Sequence, residues 1–233
     1  MQRLKVLVLA LLGVMVLSAV AVATASAAPS ALNKAKVQAA VKFTGKGSVA
    51  VLGILTAPFA VECTSQTNEG EIEAGKPLGP VHVTFKGCIV KGTTGACTGL
   101  GDSANVILAL FTSHIVEILT EAKVLGAAVL FLITTPIHFA CVVAGLSKLI
   151  LVKGELLCPI TPVGVLAAEA TVKCEQGAEL GDAKLVKYIN SEGKEVELKE
   201  GLLSSESDGG EFKMASQQAT SSLVPAESIE IMA

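Results

Sequence analysis

Six cysteines (Cys63, Cys88, Cys97, Cys141, Cys158 and Cys174) constrain this chain more than any other feature, because all six follow a segment built for export. Arg3 and Lys5 precede an uncharged apolar run from Val6 to Val22, and Ala25-Ser26-Ala27 stands ahead of Ala28. A basic start, an apolar centre and small residues at a cleavage point make residues 1–27 a secretory signal peptide. Beyond it the thiols meet an oxidising compartment, where disulfides persist. The even count suits a closed framework, which six cysteines can form in fifteen ways. Short loops favour Cys88–Cys97 around Gly92-Thr93-Thr94-Gly95 and Cys158–Cys174 around Pro159, Pro162 and Gly164, leaving Cys63–Cys141. Residues 28–233 can bury a real core, so the bridges would reinforce the fold rather than replace that core.

Composition narrows the function. Loss of Arg3 and Lys5 with the signal takes the formal charge from −3 to −5 and leaves no arginine. Sites built on bidentate recognition of phosphate or carboxylate depend on the guanidinium fork. Trp is absent and Tyr188 is the only tyrosine, which disfavours aromatic platforms for glycans or single-stranded nucleic acid. The acidic balance adds to the case against nucleic acid. No metal site is expected: there is no C-x-x-C pair, and His82, His114 and His138 lie far apart in sequence. No cofactor fingerprint occurs, and the glycines from Gly45 to Gly53 lack phosphate-loop spacing. No lipid-attachment cysteine follows the signal and no Leu-Pro-x-Thr-Gly sorting sequence occurs, so release or loose retention in the envelope is expected.

Hydrophobic period then points to strands. Val81, Val83 and Phe85 alternate with His82, Thr84 and Lys86, as Phe59, Val61 and Cys63 do with Ala60 and Glu62. Lys184 to Ile189 and Lys194 to Lys199 flank the turn-rich Asn190-Ser191-Glu192-Gly193, which reads as a hairpin with Val196 and Leu198 inward. Phe212 with Met214, and Ile229 with Ile231, mark two candidate edge strands. Ser113 to Lys123 fits a helix through Ile115, Ile118, Leu119 and Ala122, or a further strand. Residues 28–47 read as a polar leader, with Ala31 to Val41 a short helix or loose chain, ahead of a β-rich domain over 48–233.

Residues 124–147 carry no Asp, Glu, Lys or Arg and are long enough to span a bilayer. Pro136, His138 and the β-branched Ile133, Thr134, Thr135 and Ile137 favour two buried strands broken near Thr135-Pro136 instead. The expected fold is therefore all-β, one domain, a disulfide-stapled sandwich or barrel.

No constellation for catalysis is complete. Gly101-Asp102-Ser103 is similar to the nucleophile block of GDS-type serine hydrolases, but no Asp-x-x-His supplies a base and no Gly-x-Ser-x-Gly elbow occurs. Ser103 reads as part of an ordinary turn that Asp102 caps with its side chain. His114 follows Ser113 directly, and a Ser–His contact between neighbours in sequence is not a catalytic dyad. His82 is placed on a solvated strand face, and His138 among apolar neighbours. From Glu175 onward Asp and Glu outnumber Lys by 12 to 5, which reads as a solvated face. Glu206, Asp208 and Glu211 are the one acidic cluster, without EF-hand spacing.

The order Phe85-Lys86-Gly87-Cys88, Cys97-Thr98-Gly99-Leu100-Gly101-Asp102, His114-Ile115-Val116 and Phe139-Ala140-Cys141 resembles a group of uncharacterised exported proteins of actinobacteria and other soil bacteria. That resemblance implies a β-rich fold with strands across 126–160, and no activity or ligand. The expectation is a non-enzymatic structural or binding protein of the envelope or extracellular space, without cofactor. Its envelope or extracellular partner is left open. The rival readings are an envelope protein anchored by 124–147 and a secreted hydrolase using Ser103.

Overall fold

Alternating side chains give each strand one face for a core and one for water. The computed structural model describes residues 31–33, 40–54, 59–72, 79–119, 125–177, 187–190, 194–198, 201–205 and 210–232. Among them every regular element is a strand. In chain order these are β1 (Ala31–Asn33), β2 (Val41–Gly47), β3 (Ala50–Ile54), β4 (Phe59–Ile72), β5 (Gly79–Val90) and β6 (Cys97–Gly99). The long strands β7 (Val106–Leu119), β8 (Leu125–Val143) and β9 (Leu146–Thr161) follow, then β10 (Leu166–Ala167) and β11 (Ala170–Gln176). The chain ends with β12 (Lys187–Ile189), β13 (Glu195–Glu197), β14 (Leu202–Ser205), β15 (Lys213–Pro225) and β16 (Ile229–Ile231).

The ladder closes on itself. β4 pairs β5, β5 pairs β7, β7 pairs β8 and β8 pairs β9, all antiparallel. β9 pairs both β11 and β14, and both of these pair β15. β15 then pairs β2 and β3, which both return to β4. The result is an antiparallel barrel of eight positions, two of them filled by broken strands, β2/β3 and β11/β14. Followed once round, the register returns to β4 displaced by about ten residues, the stagger a tilted barrel requires. A barrel of this size has a lumen that side chains just fill or that holds one small ligand.

Inward side chains of every wall strand, among them Phe43, Val61, Val83, Phe111, Phe139 and Val172, form the main core. The outer face carries Lys42, Lys46, Glu62, Glu69, Lys173 and Glu175. At one end β16 pairs β1 and β10, making a small sheet that adds Ile229 and Ile231 to the main core. On the outer side of the wall, β12 joins β7 at Ile189 and Glu117. There Leu198 packs with Val116, Ile118, Leu130 and Leu157 in a second apolar cluster, against which Tyr188 also rests. Burial first, and then the Glu155 carboxylate, push the Tyr188 phenol above its ordinary pKa.

Several expectations change. The signal segment 1–27 lies outside the described residues. The polar leader does not extend to residue 47: Val41–Gly47 is a barrel strand with Val41 and Phe43 in the core, and Ala31–Asn33 is a strand rather than helix. Ser113 to Leu119 belongs to β7, because both edges of this strand find ladder partners. Within the run 124–147, Leu125–Val143 is one long strand, β8, rather than two broken near Thr135-Pro136, with a register shift between Ile133 and Ile137; after the turn at Ala144-Gly145 the run ends in β9. Thr134, Thr135 and Pro136 bulge outward there, which frees the proline from donating to the ladder. No described helix is long and apolar enough to cross a membrane. Neither late strand is an edge: β15 has partners on both sides, and so does β16.

The disulfides are Cys63–Cys88, Cys97–Cys141 and Cys158–Cys174. Only the last matches the pairing expected from loop length. Register decides the others: Cys63 stands opposite Cys88 in the β4–β5 ladder, and Cys97 opposite Cys141 between β6 and β8. Three bridges place the protein in an oxidising, extracytoplasmic environment.

Candidate binding site in the barrel lumen

A change of phase in β4 brings polar side chains into the lumen. Val61 and Cys63 face inward, and then Gln66 and Asn68 do, so the inward set moves from odd to even positions near Thr64. The partner strand shifts at the same level, from Val81, Val83 and Phe85 to Cys88 and Val90. Gly87 makes this possible: its φ is +63°, and a Cβ there would overlap Thr64 Oγ1.

Opposite the two amides, β2 supplies glycine. Gly45 is paired with Asn68 and Gly47 with Gln66. A Cβ on Gly47 would overlap the Gln66 side chain, and one on Gly45 would approach Asn68 Nδ2 to 2.9 Å. The amides therefore lie over bare backbone. Gln66 Nε2 donates to the Thr220 carbonyl at 3.2 Å. Gln217 joins them from β15, whose inward face (Ala215, Gln217, Ala219, Ser221) is small and polar.

Two neighbouring cavities of about 70 Å³ each occupy the lumen. The first is lined by Gln66, Asn68, Ser113, His114, Gln217 and Ser221 together with apolar side chains such as Phe43 and Val83. The second is bounded by residues such as Val61, Ile107, Ile133, Phe139 and Val152. Phe85, Phe111, Leu156 and Gln217 border both. Asn68 is only 8% exposed, yet its Oδ1 has no hydrogen-bond partner, and neither has the buried Gln217 Oε1. Buried polar atoms are ordinarily satisfied, so two free acceptors on one cavity mark it as the place for a donor. By contrast, Gln176 on β11 is fully engaged with backbone at the β11/β14 break.

The chain matches no protein-family model, no curated protein and no solved structure.

Of Ser103 and the three histidines singled out in the sequence, only His114 borders the first cavity. Asp102 does not cap its own turn; its Oδ2 accepts the Leu108 N–H at 2.8 Å, tying the loop to β7. The exposed Ser103 accepts the Val106 N–H through its carbonyl. His114 lies eight residues beyond Val106, about 26 Å along an extended strand. The fold thus does not bring Ser103 and His114 together. Ser113 Oγ donates to the Gly79 carbonyl at 3.2 Å. Burial holds the His114 imidazole below its ordinary pKa of 6.5. His82 is exposed on β5, and His138 is half-buried on β8. Glu206 and Asp208 lie outside the described residues.

Gln66, Asn68 and Gln217 were not found from the sequence. Alternation alone assigns polar side chains to the water face, and one inserted phase shift reverses that assignment. The legible trace was Gly45-x-Gly47 and Gln66-x-Asn68 on adjacent strands.

Proposed function

We propose that this is an exported, non-enzymatic binding protein whose disulfide-stapled barrel holds a small molecule in its lumen. One observation carries the reading: Asn68 Oδ1 and Gln217 Oε1 are buried acceptors without partners, both on the same internal cavity. Left without a donor each such acceptor costs about 1–3 kcal/mol, so this cavity is built to hold a molecule that supplies one. Export is supported by the signal-like residues 1–27 and by three disulfides. Release from the cell, or loose retention in the envelope, belongs to the same proposal, as does kinship with the exported actinobacterial proteins it resembles.

The test is a methyl-detected NMR screen of the secreted, fully oxidised protein against small uncharged apolar molecules. Saturable shifts confined to lumen methyls, such as those of Val83, Leu156 and Leu223, support the reading. A lumen that takes up no member of the set overturns it and leaves a structural barrel. Detergent-free fractionation of the host checks location: recovery only with the membrane pellet would favour anchoring over release.

A further inference from the structure

Resting on the lumen as the binding site, we propose that its ligand is a short neutral amphiphile. A primary-amide head donates to both Asn68 and Gln217, a hydroxyl head to one of them, and the apolar tail fills the second cavity. The free atoms at the polar cavity are oxygens, so the ligand must bring the protons. No Lys, Asp or Glu lines either cavity, and burial keeps the one imidazole on the first, His114, neutral at pH 7, so an ionised head would be buried without a counter-charge. The second cavity offers Gln217 as its single polar side chain; the rest of its lining is aliphatic, aromatic or cysteine. Water can satisfy the polar cavity but finds too few partners in the other, which stays dry. Gln217, bordering both, sets the point where head meets tail.

The experiment titrates the oxidised protein with 1-hexanol, with its isomer n-butyl ethyl ether, which has no donor, and with hexanoate, reading lumen methyl shifts. The expected result is 1-hexanol binding about tenfold tighter than the ether, the equivalent of one buried hydrogen bond. Hexanoate binds more weakly than either. Gln217→Met or Asn68→Leu, whichever removes the acceptor of the hydroxyl, narrows the alcohol-to-ether ratio toward one, with retention of the native disulfides checked by mass. Should a variant fail to fold, the comparison of the two isomers on the unmodified protein decides alone. Equal binding of alcohol and ether overturns the donor head while leaving the lumen as a binding site; so does preferential binding of hexanoate. If none of the three shifts a lumen methyl, the binding function falls and this inference with it.

Discussion

Gln176 and Leu202 are joined as two residues of a β-ladder are, except that one partner is a side chain. Leu202 N–H donates to Gln176 Oε1 at 2.9 Å, and Gln176 Nε2 donates to the Leu202 carbonyl at 3.2 Å and to that of Ala215 at 2.7 Å. This amide spans the break where the chain leaves the wall after β11, makes the β12–β13 hairpin and returns as β14. Glutamine is needed because the gap requires both an acceptor and a donor.

Gln176→Met keeps the length and removes both functions, leaving the Leu202 N–H buried without an acceptor. A loss of about 3 kcal/mol is expected, read as a lower urea midpoint. Gln176→Glu keeps the acceptor but buries a charge, which raises the folded-state pKa of the new carboxyl. Its stability should therefore improve as pH falls toward 4, where the protonated acid can donate. A midpoint for Gln176→Met within error of the parent would refute the bridging role.

Gly47 and Gln66 form a second coupled pair, across β2 and β4. Gly47→Ala places a methyl on the Gln66 side chain and should cost about 2 kcal/mol, as overpacked cores do. Gln66→Ala removes the obstacle, so the double variant should be more stable than the sum of the single effects predicts, by about 1 kcal/mol or more. A double-mutant cycle by urea denaturation measures this, and strict additivity would contradict the contact.

These two pairs show where sequence reading stops. The strand at Val81, Val83 and Phe85 and the hairpin that ends in the buried Leu198 were legible because local alternation sets each face. The cysteine partners were not, since Cys63 meets Cys88 only through the β4–β5 register and loop length carries no register. Barrel closure was hidden for the same reason: β15 joins β2 across most of the chain. The amides escaped because the phase change near Thr64 and Gly87 turns polar positions inward, where alternation alone assigns them to water.

Ala144 occupies an unfavourable backbone region, with φ +50° beside Gly145 at +80° in the tight turn between β8 and β9. Two-residue hairpin turns of this kind favour Asn-Gly, because a Cβ at positive φ crowds the backbone. Ala144→Asn should raise stability by about 1 kcal/mol with an unchanged denaturant slope. A lower midpoint would mean that this turn is not left-handed at residue 144.

His114 gives the fold a pH dependence of definite sign. Burial lowers its pKa in the folded state, so the unfolded chain takes up the proton first as pH falls. Its contribution is fully present above the ordinary value of 6.5 and declines as pH drops through 6.5 toward the lowered folded value. Urea midpoints from pH 7.5 to 5 should decrease, and His114→Asn should flatten that portion of the curve. A parent profile that is level or rising on acidification, with no change in the variant, would rule out His114 as its source.

The three bridges differ in the length of chain they close, and that sets their order of importance. Separations of 44, 25 and 16 residues belong to Cys97–Cys141, Cys63–Cys88 and Cys158–Cys174. Restriction of the unfolded chain then gives about 4, 3.5 and 3 kcal/mol in that order. Cys97–Cys141 also holds β6 against the part of β8 beyond the Pro136 bulge, where β6 rather than β7 is its second neighbour. Its double serine variant should therefore lose the most stability and should free the loop that carries Asp102 and Ser103. Non-reducing peptide maps test the pairing, and denaturation of the three double serine variants tests the ranking. A Cys88–Cys97 peptide in the native map would mean that β5 and β6, not β4 and β5, are stapled, and the barrel register would have to be redrawn.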